Sequence, residues 1–254
     1  MPTPFYHLSI AQELLTHPDL PVGLRQRFER HLPAFALGHT APDVQTVSGQ
    51  ARLLTHFFRV PILAGAKPPW EIMLMEYPEM MAALGQDSAQ AAFLAGYLCH
   101  LQADWFWVRQ IYEPCFGPAA RHGEFYQRQY IHNVLRSYLD FQILGSLNGT
   151  LSAALAQAQP VDWLPFTADA DLRKWRDFLA EQFRPGARIR TVDVFAARQG
   201  IAPEKYYELI ESEVEMDRQV FVYLPRHDLA AYRQELLVEN LRLCQSCFEP
   251  ISGG

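Results

Sequence analysis

The hydrophobic positions of this 254-residue chain recur mainly at helical spacing, and no useful stretch alternates as a strand would. In residues 5–16, for example, Phe5, Leu8 and Leu15 fall on one face of a helix. Pro18 and Pro21 end this segment, and Pro21 opens a second predicted helix over residues 22–38. The pattern predicts an all-α fold.

The stretch from Ser88 to Glu113 differs from the other helical segments because it is apolar on nearly every face. A helix of this kind is buried on most sides. We therefore expect a multi-helix globular bundle packed around one long helix at about residues 88–113. Further helices are predicted over residues 121–155, 168–183, 191–199, 203–218 and 226–248.

The chain shows no internal repeat and no low-complexity segment, and its length suits one helical domain. We predict a single all-α domain over residues 1–254. Pro160 and Pro165 mark a loop, and the histidine- and aspartate-rich motifs all precede it. This distribution also suggests a soft subdivision into a metal-site half, 1–158, and a C-terminal helical extension, 160–254.

Composition narrows the classes of protein that the chain can belong to. Hydrophobic residues make up 49% of it, which is enough for a sizeable core. A net charge of −6 gives no basic footprint, so a nucleic-acid partner is not favoured. The N-terminus has no signal-peptide pattern, and no apolar run reaches the length of about 18 residues that a transmembrane helix needs. We therefore expect a cytoplasmic location.

Candidate chemistry begins with His100 and Asp104 in the apolar segment. Residues four apart share a helix face, so the imidazole and the carboxylate can converge on one cation at about 2.0–2.2 Å. An unpaired carboxylate is costly in so apolar a helix. A metal ion or an arginine must therefore compensate Asp104, and Arg109, just over one turn further along, is the main arginine alternative.

Three more residues add donor groups of the same kind. Asp43 closes the turn at residues 38–43, His56 lies in the motif THFF, and His7 lies in the first predicted helix. Taken singly, each is also consistent with a turn or cap residue or with a buried, hydrogen-bonded histidine. Together with His100 and Asp104 they supply the nitrogen and oxygen ligands that suit zinc. Weaker metal candidates are His39, His122 and His132.

The order of these motifs resembles the zinc-dependent phospholipase C family, relatives of the S1/P1-type nucleases. The matching segments are FALGHTAPDV (35–44), THFF (55–58) and AAFLAGYLCHLQADWF (91–106), and the resemblance covers about residues 5–110. It implies an all-α fold with clustered zinc ions. The metal ligands it implies are His7, Asp43, His56, His100 and Asp104.

The chain departs from the family pattern where a third zinc ion would bind. Family enzymes use a histidine shortly after the helix pair and then an H-x3-E motif. Here residues 105–114 (WFWVRQIYEP) contain no histidine, and Arg136 rather than glutamate stands four residues after His132. The resemblance therefore implies one zinc ion or two in this chain, and not three.

The function implied by the resemblance is zinc-dependent hydrolysis of a phosphate ester, either a phospholipid or another phosphodiester. Zinc would acidify a water molecule for attack, and Asp43 would act as ligand or general base. Two alternatives remain. The protein binds metal without catalysis, in a structural or binding role, or it binds no metal and these side chains form a buried polar network with an arginine such as Arg52 or Arg109.

Overall fold

The structure, a computed structural model, describes residues 1–144, 146–147, 149–184 and 190–248. Regular structure in these ranges is helical, with no strand, which confirms the all-α prediction. The α-helices are, in chain order, α1 (Pro4–Thr16), α2 (Val22–Arg30), α3 (Leu32–Gly38), α4 (Gln45–Ser48), α5 (Arg52–His56), α6 (Pro69–Glu76), α7 (Glu79–Leu84), α8 (Ala89–Trp107), α9 (Glu113–Cys115), α10 (Phe125–Leu144), α11 (Gly149–Leu155), α12 (Asp169–Glu181), α13 (Thr191–Gln199), α14 (Pro203–Ile210), α15 (Glu213–Gln219) and α16 (Arg226–Phe248).

Helix α8 is the centre of the fold, as its apolar sequence predicts. Ser88 caps it by accepting a hydrogen bond from the backbone N–H of Ala91, and almost all of its side chains are buried. A π-helical turn, Val108–Tyr112, carries the chain directly from α8 into α9. Helices α3 and α16 pack against α8. No helix in the described ranges is both long enough and apolar enough to cross a membrane.

Some predicted helices are divided in the structure. The segment predicted as one helix over residues 22–38 is two, because the chain leaves helical geometry at His31 just before Pro33, which has no N–H to donate. Residues 203–218 likewise form α14 and α15, and the hydroxyl of Ser212 caps the second of these helices. A proline at the first break and a polar cap at the second thus override a continuous hydrophobic pattern.

Helices α3 and α8 are in close backbone contact at Gly38 and Gly96. A Cβ atom on Gly38 would lie 2.0 Å from the carbonyl oxygen of Phe93, and one on Gly96 would lie 2.5 Å from that of Phe35. Because neither glycine has a positive φ, their small size is what this contact requires. We call this contact the glycine seam.

Asp140 joins helix α10 to the N-terminal segment and to α13. Its side chain is buried, and its two oxygens accept hydrogen bonds from the hydroxyls of Thr3 and Thr191. Burial raises the pKa of this carboxyl to about 7, although the two hydroxyls and the charge of Arg136 partly offset the effect. The carboxylate therefore becomes costly to the fold once it ionises.

The free energy of unfolding should accordingly fall as pH rises, because Asp140 ionises in the folded protein. A folded-state pKa raised above the unfolded one stabilises the protein below the unfolded value, and this contribution is lost as pH rises through the folded value. From about pH 5 to about pH 8, the free energy of unfolding of the wild type should fall by about 2–3 kcal/mol relative to Asp140→Asn. Urea unfolding at both pH values tests this. Asp193→Asn, which alters an exposed carboxylate on α13, is the matched control, and parallel curves for the wild type and Asp140→Asn would refute the assignment.

Candidate metal centre

Four elements bring the five sequence-predicted residues together beside α8. His7 comes from α1 and His56 from the last position of α5, while Asp43 lies in the 3₁₀ turn Ala41–Val44. Helix α8 supplies His100 and Asp104 one turn apart. The three histidines and Asp104 are buried, and the side chain of Asp43 is 20% exposed.

Asp104 lies at the middle of this group. Its Oδ1 is 3.4 Å from Nε2 of His7, and its Oδ2 is 3.4 Å from Nε2 of His56 and 4.0 Å from Nε2 of His100. Nε2 of His56 is also 3.6 Å from Oδ1 of Asp43. Two ligands of one zinc ion, each about 2.0–2.2 Å from it, are separated by distances of this size.

The donor atoms form two overlapping groups. His7, His100 and Asp104 each place one donor atom within 4.8 Å of the others, and so do Asp43, His56 and His100. His100 belongs to both groups, and its ring stacks on that of His7 with the centroids 3.6 Å apart. The arrangement offers room for one shared cation or for two neighbouring ones. We call these five residues the ligand cluster.

The glycine seam helps to orient His100. It brings the end of α3 onto α8, and the backbone oxygen of His39 lies 2.8 Å from Nδ1 of His100. Since a carbonyl oxygen only accepts, Nδ1 carries the proton, and the lone pair of Nε2 faces the ligand cluster. His56 is held in a comparable way, with its Nδ1 2.9 Å from the hydroxyl of Thr55. Hydrogen bonds of this kind fix metal-binding histidines.

Several polar atoms of the ligand cluster are buried and lack a hydrogen-bond partner among the described residues. They are Nε2 of His7, Nε2 of His56, Nε2 of His100 and Oδ1 of Asp104. Buried polar atoms without partners are rare because each costs free energy. Cations bound at the two groups of donor atoms would supply the missing partners, and imidazole nitrogens with carboxylate oxygens are a donor set that zinc accepts. The residues present therefore fit a zinc site.

The protonation states also suit a metal. Burial lowers the pKa of His100 to about 3, with a further contribution from His7, and burial likewise lowers the pKa of His56. Burial alone would raise the pKa of Asp104, but the surrounding imidazoles and Arg52 hold it well below its usual range. At neutral pH the two imidazoles are neutral and the carboxylate is ionised, which is the state that metal binding requires.

The arginine that contacts Asp104 is Arg52 and not Arg109. A guanidinium nitrogen of Arg52 donates to Oδ2 of Asp104 at 2.8 Å, and the group lies over the ring of Phe58. Arg109 lies instead over Trp105, because a residue five positions further along points to a different side of a helix. Oδ1 of Asp104 stays unpartnered even with Arg52 in place.

The weaker metal candidates do not belong to either group of donor atoms. Nε2 of His132 accepts a hydrogen bond from Trp107 at 3.0 Å. His122 stacks on Tyr223, and its Nε2 lies 2.6 Å from the carbonyl oxygen of Cys115. The ring of His39 packs against Phe35, and its backbone oxygen lies 2.8 Å from Nδ1 of His100.

A cavity of about 390 Å³ adjoins the ligand cluster and was not anticipated from the sequence. Asp43 and Arg52 form part of its lining, so the two are continuous. The remaining lining comes mainly from the first five residues and from α12 and α13. On α13 the spacing of Thr191, Val194 and Arg198 places them on one face, but nothing local distinguishes that face from an ordinary solvent-exposed one.

Comparison with known proteins identifies the family. The sequence model of the zinc-dependent phospholipase C family matches residues 6–159, which is more than half of the chain and includes the whole ligand cluster. Searches of curated proteins and of solved structures give no match. The match agrees with the helical fold and with the order of the histidine and aspartate motifs. The chain belongs to the zinc-dependent phospholipase C family.

Proposed function

We propose that this protein is a zinc-dependent hydrolase that cleaves a phosphate ester, either a phospholipid or another phosphodiester. The observation that carries the proposal is the set of buried, unpartnered nitrogen and oxygen atoms beside an open cavity. A purely structural site has no need of such an opening. Catalytic metal sites, in contrast, require access for a substrate and for water.

The ligand cluster would hold the metal, as one zinc ion or as two neighbouring ions, one of which takes Nε2 of His100. When bound, zinc stabilises negative charge on a phosphoryl oxygen and makes water a better nucleophile at neutral pH. His100 and His56 are pre-oriented for this role by the carbonyl of His39 and the hydroxyl of Thr55. Helix α8, which is buried along most of its length, gives His100 and Asp104 a rigid support.

Asp43 is placed to take part in proton transfer. Within the ligand cluster it is the carboxylate that also lines the cavity, while Asp104 is buried behind it. Although burial raises the pKa of Asp43, the neighbouring His56 and His100 bring it below its usual value. Asp43 is therefore ionised at neutral pH and can accept a proton from an attacking water, either as a free base or as a metal ligand.

A metal-binding protein without catalysis is the second candidate. It is favoured by the contact between Arg52 and Asp104, which occupies one carboxylate oxygen of the ligand cluster. It also gains support if four of the protein ligands bind one ion, because such a site is closed. In that case the zinc would contribute to folding stability, and chelation would lower the melting temperature. The protein would hydrolyse no ester, with zinc or without it.

Turnover decides between the two candidates. Zinc-loaded protein is incubated with a chromogenic phosphodiester, a matched phosphomonoester and short-chain phospholipids. We expect hydrolysis of at least one of these esters, its loss on treatment with a chelator, and its return when zinc is added back. Absence of turnover on every ester, at stoichiometric zinc, would exclude the hydrolase and leave the non-catalytic metalloprotein.

A further inference from the structure

In the part of the chain that the structure describes, four arginines line the cavity next to the ligand cluster. Arg52 lies at the ligand-cluster end, Arg136 comes from α10, and Arg190 and Arg198 lie at the start and near the end of α13. Among the described residues of the lining, Asp43 is the one carboxylate. The lining therefore carries a formal excess of positive charge, although the whole chain has a net charge of −6.

Three of these arginines lack an ionic partner. No carboxylate in the described ranges forms an ion pair with Arg136, Arg190 or Arg198. Arg136 donates to the carbonyl oxygen of Met1 and to Asn133, which are both neutral, and its Nε has no acceptor. Asp140 lies near enough to influence Arg136, but the hydroxyls of Thr3 and Thr191 occupy its oxygens.

Like charges are thus gathered along one cavity, with Arg52 and Arg136 half-buried. Burial and the nearby charge of Arg198 lower the pKa of Arg136 to about 10, the expected direction for a guanidinium crowded by another cation. Aromatic rings hold two of the groups in place. Arg136 lies 4.1 Å from the ring centroid of Phe195, and Arg190 lies 5.7 Å from that of Phe178. Planar guanidinium groups fixed in this way are typical of phosphate recognition.

Part of the cavity lining is apolar. Helix α12 contributes Trp175, Phe178 and Leu179, and the N-terminal segment contributes Phe5. A volume of about 390 Å³ holds a phosphate group together with a small organic substituent.

We propose that this cavity binds the phosphate-bearing headgroup of an anionic ester and selects it over a zwitterionic, ammonium-bearing one. The inference rests on the proposed function, since it names the substrate class of the same site. Guanidinium groups form charge-assisted hydrogen bonds to phosphate oxygens. A quaternary ammonium held among four guanidinium groups is repelled.

Binding is measured by calorimetry on the zinc-loaded protein, with glycerol 3-phosphate, phosphocholine and inorganic phosphate as probes. We expect glycerol 3-phosphate to bind at least about tenfold more tightly than phosphocholine. The variants Arg190→Gln and Arg198→Gln change exposed side chains on α13 and should fold normally. Each should weaken binding of glycerol 3-phosphate about tenfold, as expected for loss of one charge-assisted hydrogen bond. Arg218→Gln, an exposed arginine on α15, is the matched control.

The outcomes separate this inference from the proposed function. Equal affinity for the two esters, or affinities unchanged in both α13 variants, would overturn the inference and mean that the metal alone holds phosphate. Inorganic phosphate binding as tightly as glycerol 3-phosphate would assign the cavity to the free ion and overturn the headgroup proposal. Arginine-dependent binding without turnover of any ester would sustain the anionic preference and reject the hydrolase.

Discussion

The double variant His100→Ala/Asp104→Ala should purify without zinc, whereas wild-type protein prepared in parallel should hold a near-stoichiometric amount. His100 belongs to both groups of donor atoms, and Asp104 lies within 4.0 Å of three imidazoles. Removing both leaves one donor in the first group and two in the second. Fewer than three protein ligands do not hold zinc against the solvent.

Elemental analysis of protein purified without added metal gives the answer directly. Hydrolysis of the phosphodiester should fall in the double variant to the background of the uncatalysed reaction. His132→Ala is the matched control, because His132 is also buried but lies outside both groups of donor atoms. It should keep its zinc even if its stability falls. If the wild-type protein took up no zinc on incubation, the zinc site would be refuted. The same residues would then form a buried polar network with Arg52 as the counter-ion of Asp104.

The second large effect is expected at the glycine seam. Alanine is the better helix former, yet Gly96→Ala would place a methyl group 2.5 Å from the carbonyl oxygen of Phe35 and 2.8 Å from the backbone nitrogen of His39. Helices α3 and α8 would have to separate, at a cost of about 3 kcal/mol in the free energy of unfolding. The carbonyl of His39 would move away from Nδ1 of His100, so zinc affinity should fall as well.

Gly23→Ala is the control for helix propensity. Gly23 lies in α2, and a Cβ atom there would meet nothing within 4 Å. That substitution should raise the free energy of unfolding by about 0.5–1 kcal/mol. Urea unfolding and zinc analysis of both variants test the pair of predictions. If Gly96→Ala were as stable as Gly23→Ala and kept its zinc, the close approach of α3 to α8 would not be what supports His100.

Some residues of the ligand cluster are easier to identify from the sequence than others, for physical reasons. His100 and Asp104 are evident locally, because their i, i+4 spacing lies in a helix too apolar to hold a carboxylate without compensation. Asp43 and His56 come from short irregular elements, where periodicity has no meaning. Their residue types made them candidates, the order of motifs that the chain shares with its family implied that they are ligands, and in the structure they lie beside the α8 pair.

Contacts between distant elements were harder to predict. Sequence separation favoured Arg109 as the partner of Asp104, but helix geometry turns it away, and the fold of the loop after Ser48 brings in Arg52. The arginines of the cavity lie far apart along the chain, on α5, on α10 and around α13. No local pattern connects such residues, since only the packing of their helices brings them to one wall.

Part of the cavity wall comes from a stretch of the chain that contributes nothing to the ligand cluster. The ligand cluster ends at Asp104, whereas the wall formed by α12 and α13, with Arg190 and Arg198, lies beyond the family-matched residues 6–159. If the cavity selects the headgroup as proposed, substitutions in that wall would change which headgroup is accepted without altering the ligand cluster. Selection, natural or in the laboratory, could redirect such a protein to new esters by exchanging one pair of helices while the chemistry stays the same.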